Sequence, residues 1–419
     1  MTSKNQATEC FVYITLPEQT EAVTAGRFVL SKSRDGTPLG KFVYGKSYLA
    51  RNEAVEIDPV ELKLFDETYE TARLGGVFGA LRDAGPDYWG RRVIEKHAGK
   101  SMLGEIDYLL ESPDDRAGAL SFGLGQEPPA PRRTFNKTLE LAKLQKIAEG
   151  IVRGEIDEKD ADAIQAQELV LIGTSMGGAR PKTVVEDEQG LWIAKFNRPD
   201  DRWNFAKVEH AMLNLAKKCG ISAAESRVVH VGGKDVLLVH RFDRFRAYKG
   251  YARARMISGL TLLQVDENDR ERWSYISMAE ELRRIVAKPS QDASELFRRM
   301  CFNALISNLD DHPRNHALIA KEAEWNLSPA YDLVPLPVIA QDQRDLAMIC
   351  GDRGRLARAS NILSQHTRFL LGPVEAKTIV ENMGQLVSAT WYNVIRAEGV
   401  SEKDAEAIRS AFVYEGFDT

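Results

Sequence analysis

At 419 residues the chain is long enough for two or three domains, each burying a core of its own. A composition of 43% hydrophobic and 28% charged residues is that of a folded globular protein and excludes extensive disorder. A formal net charge of -5 excludes a protein that grips nucleic acid through one broad basic surface, although local basic patches remain open.

Cys10, Cys219, Cys301 and Cys350 are scattered without a C-x-x-C pair, which predicts reduced thiols in a cytoplasm rather than a disulfide framework or zinc ribbon. No run reaches the ~18 apolar residues of a membrane-spanning helix. The stretch Met1–Cys10 is polar and lacks the apolar core of a signal peptide. The expectation is a soluble cytoplasmic protein with no membrane partner.

In chain order, Phe11–Leu16, Arg27–Leu30, Lys41–Tyr44 and Ser47–Ala50 read as strands, with turn formers at Asp35-Gly36 and Gly45. Gly75-Gly76-Val77-Phe78-Gly79 and Pro86-Asp87-Tyr88-Trp89-Gly90-Arg91 follow. Between Gly123 and Arg133, three prolines among eleven residues forbid a helix or central strand and mark a domain boundary. Leu139, Leu141, Leu144, Ile147 and Ala148 form a helical stripe that ends at Gly150. A Gly-rich loop (173–182) then leads to strands Thr183–Glu186 and Leu191–Phe196, and a helix carrying Phe205, Val208 and Met212 stops at Gly220. A hairpin turns at Gly232-Gly233 between Arg227–Val231 and Val236–Phe242. Helices are predicted at Met278–Val286, Asp292–Ser307, Pro373–Val387 and Ser401–Phe412.

Phosphoryl transfer requires a cover for the phosphates, a cation on them, metal ligands and an acceptor for the hydroxyl proton. Four segments supply such groups in order. Gly173-Thr174-Ser175-Met176-Gly177-Gly178-Ala179-Arg180-Pro181-Lys182 brings backbone N–H groups close to an anion without Cβ clashes, or is a plain glycine turn; no G-K-[ST] closes it as a Walker A motif would. Lys195 lies in the apolar strand 191–196 and needs an anionic partner if buried, or is an edge-strand lysine facing water. In Asn308-Leu309-Asp310-Asp311-His312-Pro313-Arg314-Asn315-His316, Asp310 and Asn315 have the separation of the H-R-D-x-x-x-x-N kinase loop and Pro313 stops the helix from running through, or the segment is an acidic helix C-cap followed by a turn. Asp332, beyond a hairpin of Ala317–Ala320 and Trp325–Leu327, suits a Mg²⁺ ligand or a turn.

Other candidates carry less. Glu209 either pairs with Lys195 or is a solvated helix charge. His312 and His316 do not form a zinc pair, because Pro313 breaks the helix between them; His312 reads as a scaffold of the loop. The basic and aromatic run His240–Arg255 reads as a solvated strand end and loop, with contact to RNA or to a phosphorylated partner as the alternative.

The segments GGARPK, LDDHPRNHAL and LSPAYDL resemble the signature blocks of HipA-type toxin kinases, and PDYWGRR (Pro86–Arg92) and DDRAGAL (Asp114–Leu120) resemble that family's N-terminal domain. The resemblance implies that Asp310 is the proton acceptor and that Asn315 and Asp332 hold Mg²⁺. Gly177, Gly178, Ala179, Arg180, Pro181 and Lys182 would cover the phosphates of ATP and Lys195 would contact them. His240, Arg241 and Phe242 would meet the adenine, and His312, Pro313 and Arg314 would border the nucleotide within the catalytic loop. Ser175 matches the family's autophosphorylated serine. A helix-turn-helix antitoxin of the HipB kind, operator DNA through it, and an aminoacyl-tRNA synthetase as phosphorylated target are the implied partners.

The expected fold is therefore α+β, a two-lobed kinase-like arrangement. It would comprise an N-terminal β-rich domain (1–125), a kinase N-lobe-like region (126–258) and a helical C-lobe (259–419). The expected activity is ATP-dependent Ser/Thr protein phosphorylation that arrests translation. Alternatives are a small-molecule or lipid kinase of the same fold, a metal-dependent phosphohydrolase using Asp310, Asp311, His312 and Asp332, and a non-catalytic corepressor.

Overall fold

The structure is a computed structural model that describes residues 8–98, 103–131, 135–153, 180–338, 340 and 342–418. The chain divides into two units. The first comprises Met1–Arg198, His240–Ile257 and Ile319–Ala323, and the second Pro199–Val239, Ser258–Leu318 and Glu324–Thr419.

In the first unit, β1 (Glu9–Thr15), β2 (Ala22–Lys32), β3 (Pro38–Tyr44), β4 (Thr68–Thr71) and β5 (Leu120–Gly123) form an antiparallel sheet in the order β4-β3-β2-β1-β5. Gly36, at φ +87°, supplies the left-handed residue of the predicted β2–β3 turn. Along β3, buried Gly40, Phe42 and Tyr44 alternate with exposed Lys41 and Val43, the two-residue period of a sheet with one face covered.

The expected strand Ser47–Ala50 is instead a single helical turn, Lys46–Leu49. The turn brings Tyr48 back over Tyr44, where the rings stack at 5.7 Å. Both hydroxyls then find main-chain acceptors, Tyr44 on Leu62 at 2.6 Å and Tyr48 on Val55 at 2.7 Å. Burial of two satisfied tyrosines outweighs the strand preference of the local sequence.

From Leu124 to Pro131 the proline stretch carries no helix or strand, and the helix beyond it runs through Gly150 to Arg153. Next, β6 (Asn136–Lys137) lies parallel to β7 (Lys182–Asp187), which pairs antiparallel with β8 (Gly190–Phe196). Phe135, Val184 and Leu191 pack here with Tyr251. Tyr251 belongs to a short hairpin, Arg244–Ala247 with Gly250–Arg253, that returns to this unit.

The second unit is mainly helical. Its centre is the helix Pro289–Leu305, whose Leu296, Phe297, Met300, Cys301, Ala304 and Leu305 are fully buried. Around it pack the helices Tyr275–Ile285 and Pro373–Ala397, the latter ten residues longer than its apolar stripe suggested. Phe205–Lys218 packs on Pro373–Ala397 and stops at Gly220, which has φ +75°. All four cysteines are unpaired and buried. Among the described residues no helix is long and apolar enough to cross a membrane.

Phe297 meets Phe369 edge-on at 5.3 Å in the middle of this core. Phe297→Ala is expected to cost about 3–5 kcal/mol of unfolding free energy. Urea titration followed by circular dichroism checks this, and a loss below ~1 kcal/mol would place the core elsewhere.

Candidate active site

The loop predicted to carry chemistry begins where Pro289–Leu305 ends. Ser307, at φ +50°, takes the left-handed position after the helix. Asn308 N–H donates to the Asn303 carbonyl at 2.8 Å and Ser307 N–H to that of Ala304 at 3.3 Å, the two bonds of a Schellman termination. The chain leaves the helix abruptly, and Leu309 to His312 run irregularly from a fixed point to the 3-10 turn Pro313–Asn315.

What fixes the loop in the interior is Asp311. Its side chain is 1% exposed; Tyr275 donates its hydroxyl to Oδ2, and His316 Nε2 lies 2.8 Å from the same oxygen. Asn303 donates to the Tyr275 oxygen at 3.3 Å, and Asn308 donates to Asn303 Oδ1 at 3.0 Å. Burial and the adjoining Asp311 carboxylate hold the Tyr275 hydroxyl far above its ordinary range, so it stays a donor. A buried carboxylate is tolerated when its lone pairs are satisfied in this way.

Asp310, one residue earlier, is exposed. Its carboxyl is raised above the usual carboxylate range by partial enclosure, with the negative charges of Asp332 and Asp311 adding to the effect and His312 and Arg270 opposing it. Asn315 turns its side-chain amide back onto the Asp310 carbonyl at 3.3 Å. Tyr331 donates to the Arg314 carbonyl at 2.8 Å, which ties the residue preceding Asp332 to the loop. Asp332 itself sits at φ +59°, a left-handed conformation that aspartate adopts more readily than most side chains. Gly259 closes the other side. A Cβ there would lie 2.5 Å from the Pro313 carbonyl, and Gly259 N–H donates to His316 O at 2.8 Å.

The second unit thus brings together Asp310, His312, Pro313, Arg314, Asn315 and Asp332. His312 rests edge-on against Trp273 at 6.2 Å, and Arg314 pairs with Glu267 at 2.6 Å. Among the described residues no three His, Cys, Asp or Glu side chains converge to hold a metal by themselves. One carboxylate and one amide, Asp332 and Asn315, fit Mg²⁺ that arrives with phosphate oxygens, since that ion takes few protein ligands. Clustered negative charge that raises Asp310 is also what a cation would relieve.

In the first unit, Arg180, Pro181 and Lys182 are described, whereas Ser175, Gly177, Gly178 and Ala179 lie outside the described residues. Lys182 is buried and pairs with Asp87 at 2.7 Å. Lys195 is half-buried on β8, directly across from Lys182. His240 stands edge-on to Trp192 at 5.0 Å. Phe242 is half-buried, and the main-chain N–H of Arg241 donates to Leu191 O at 2.9 Å.

In the run 240–255 the solvated-loop reading holds at the exposed tip, Arg246, Tyr248 and Lys249, and fails on either side of it. Arg241, Arg244, Arg253 and Arg255 are buried, and the Arg241 guanidinium is bound by Asp115, Asp243 and the Arg116 carbonyl. Arg253 pairs with Asp114 and Arg255 with Glu56. Asp114 and Asp115 come from the DDRAGAL segment, more than a hundred residues away, so charge counting along the run could not reveal them. Glu209 is also fully buried, which excludes a solvated helix charge. Tyr275 and Asn303 carried no sequence signal at all.

Because enclosure and neighbouring carboxylates raise Asp310, its ionisation opposes folding between the ordinary carboxylate pKa and the raised one, and the full penalty persists above that window. Asp310→Asn is therefore expected to raise Tm at neutral pH. The gain should shrink to nothing below the ordinary carboxylate range, where the group is protonated in both states. Thermal unfolding across pH checks this, and a lower Tm at neutral pH would contradict it.

Against known proteins, residues 174–391 match the HipA-like C-terminal domain. A protein of Haemophilus influenzae named "Putative kinase" is 24% identical over 221 residues, covering 47% of this chain and 64% of that protein. "Putative kinase Y4mE" of Sinorhizobium fredii is 26% identical over 154 residues, 36% of this chain and 37% of that protein. The chain thus spans less than two thirds of either relative's length. Among solved structures, a chain of the Shewanella oneidensis MR-1 toxin–antitoxin complex of HipA, HipB and operator DNA matches over 96% of this chain and 94% of its own. The TM-score is 0.69 at 16% identity. That likeness shows the fold, and the α+β expectation of a HipA-like kinase fold is borne out, β-rich in its N-terminal part and mainly helical in its C-terminal part.

Proposed function

The chain belongs to the HipA-like C-terminal domain family, and from this premise we propose that it is an ATP-dependent Ser/Thr protein kinase of the HipA toxin type. The observation that carries the reading is the division of labour between two adjacent aspartates. Asp311 is locked to Tyr275 and His316, while Asp310 faces outward with a raised affinity for protons. A group that accepts a hydroxyl proton must be reachable and only moderately acidic, and Asp310 meets both demands.

In this reading Asn315 and Asp332 hold Mg²⁺, and His312, Pro313 and Arg314 border the nucleotide. Gly177, Gly178, Ala179, Arg180, Pro181 and Lys182 cover its phosphates while Lys195 contacts them. The main chain at His240, Arg241 and Phe242 lines the adenine, the Arg241 side chain being committed to its carboxylates. Residues 1–125, 126–258 and 259–419 act as N-terminal domain, nucleotide-covering region and catalytic region. The named structural relative was solved with HipB and operator DNA, which supports an antitoxin of that kind as partner here. The acceptor protein is an aminoacyl-tRNA synthetase in this reading, and Ser175 is the site of self-phosphorylation that switches the kinase off. A phosphohydrolase using both aspartates is disfavoured, because Asp311 is already satisfied by protein donors.

Transfer of labelled phosphate from Mg-ATP to fractionated extract, followed by identification of the labelled protein, tests the activity and its acceptor together. Asp310→Asn should lower transfer by about 10²- to 10⁴-fold while ATP affinity stays within a few-fold. Turnover near the parent's would remove Asp310 from the role of base. Label found only on a small molecule or lipid would keep the kinase but change its acceptor.

Incubation with Mg-ATP should place phosphate on Ser175, with activity falling as occupancy rises, because roughly -1.5 to -2 charge beside a triphosphate repels it. Mass spectrometry with parallel activity assays checks this. Full activity in the phosphorylated protein would exclude the switch.

A further inference from the structure

The PDYWGRR segment has no part in the chemistry described so far, yet its aspartate reaches the end of the phosphate-covering stretch. Asp87 Oδ2 lies 2.7 Å from Lys182 Nζ, with the two side chains 5% and 2% exposed. The other carboxylate oxygen accepts from Gly90 N–H at 2.6 Å, and the Asp87 carbonyl accepts from Arg91 N–H at 2.8 Å. The carboxylate is therefore fixed at the start of the helix Tyr88–Ala98 before it meets the lysine.

Lys182 opens β7 directly after the Gly-rich stretch and stands opposite Lys195 in the β7–β8 register. Directly opposed residues of an antiparallel pair project from the same face, with Cβ atoms about 4.5–5.5 Å apart. Two ammonium groups so placed repel each other unless a negative charge intervenes. Asp87 supplies that charge to Lys182. Nearby, Phe196 N–H donates to Pro181 O at 3.1 Å and Arg180 donates to Phe196 O at 3.4 Å, so the end of β8 is already joined to the residues that precede β7.

Resting on the kinase reading above, we propose that Asp87 is a positioning residue of the nucleotide site. By holding Lys182 it fixes the exit of the phosphate-covering stretch and keeps Lys182 from opposing the charge of Lys195, which makes the PDYWGRR segment part of the nucleotide site. Asp87 acts on nucleotide affinity and leaves the transfer step alone.

The test is steady-state kinetics of the full chain with Mg-ATP, together with direct titration of Mg-ATP binding. Asp87→Asn keeps an acceptor for Gly90 N–H and removes the charge. KM and Kd for ATP should rise about ten- to a hundredfold, with kcat within about threefold. A purely structural role predicts the opposite split, since a reduced folded fraction lowers apparent kcat at unchanged KM.

An unpaired buried lysine can prevent folding, so Asp87→Ser, which keeps an oxygen for Gly90 N–H, removes the charge and leaves room for water beside Lys182, serves as the second variant. With parent-like Tm, a raised Kd supports the proposal, and parent-like Kd in either variant overturns it. A parent protein that binds no Mg-ATP would overturn the kinase reading and this proposal with it. A parent that binds while both variants match it removes only the role of Asp87.

Discussion

The candidate site of the second unit depends on one buried carboxylate. Moving Asp311 out of water would cost several kcal/mol if it were left unpaired, and the Tyr275 hydroxyl and the His316 ring offset that cost. These partners come from different directions, one from the first residue of the helix Tyr275–Ile285 and one from the far end of the loop itself. The loop is thereby pinned at its midpoint. With Asp311 turned inward, its neighbour Asp310 is left outside, and Asn315 is brought back to the Asp310 carbonyl.

The supporting contacts come from several parts of the second unit. A serine in the left-handed position ends the central helix where a glycine is more usual, and its hydroxyl donates to the Ala411 carbonyl at 2.7 Å. Gly259 lets the start of a neighbouring helix approach the Pro313 carbonyl more closely than any other residue permits. Tyr331 then carries the constraint from the loop to the residue before Asp332. Each contact alone contributes about 1 kcal/mol, but together they limit the loop to one arrangement.

The first unit solves a different problem, that of burying cations. Arg241 and Arg244 are enclosed with Asp115, Asp243 and the Arg116 carbonyl, and Lys182 with Asp87. Ion pairs of this kind add little net stability over apolar packing, yet losing one partner is severely destabilising. Their consequence is specificity. The segments 86–92 and 114–120 can meet 182 and 241–253 in one way only, since any slip would strand a buried charge.

The sequence by itself determined the strands and helices whose periodicity is local, the turn at Gly36, the helix stop at Gly220, and the candidate loop from Asp310 to Asn315 followed by Asp332. Those features depend on residue spacing and on backbone conformations that specific residues demand, both of which are written in the chain order. Tertiary structure alone decided that Lys46–Leu49 is helical, that Arg241, Arg244, Arg253 and Arg255 face inward, and that Asp311 is the anchor while Asp310 stays open. It also decided that Lys182 meets Asp87, 95 residues away. Such choices turn on which charge finds a partner out of water, and the partner's position depends on the fold rather than on its distance along the chain.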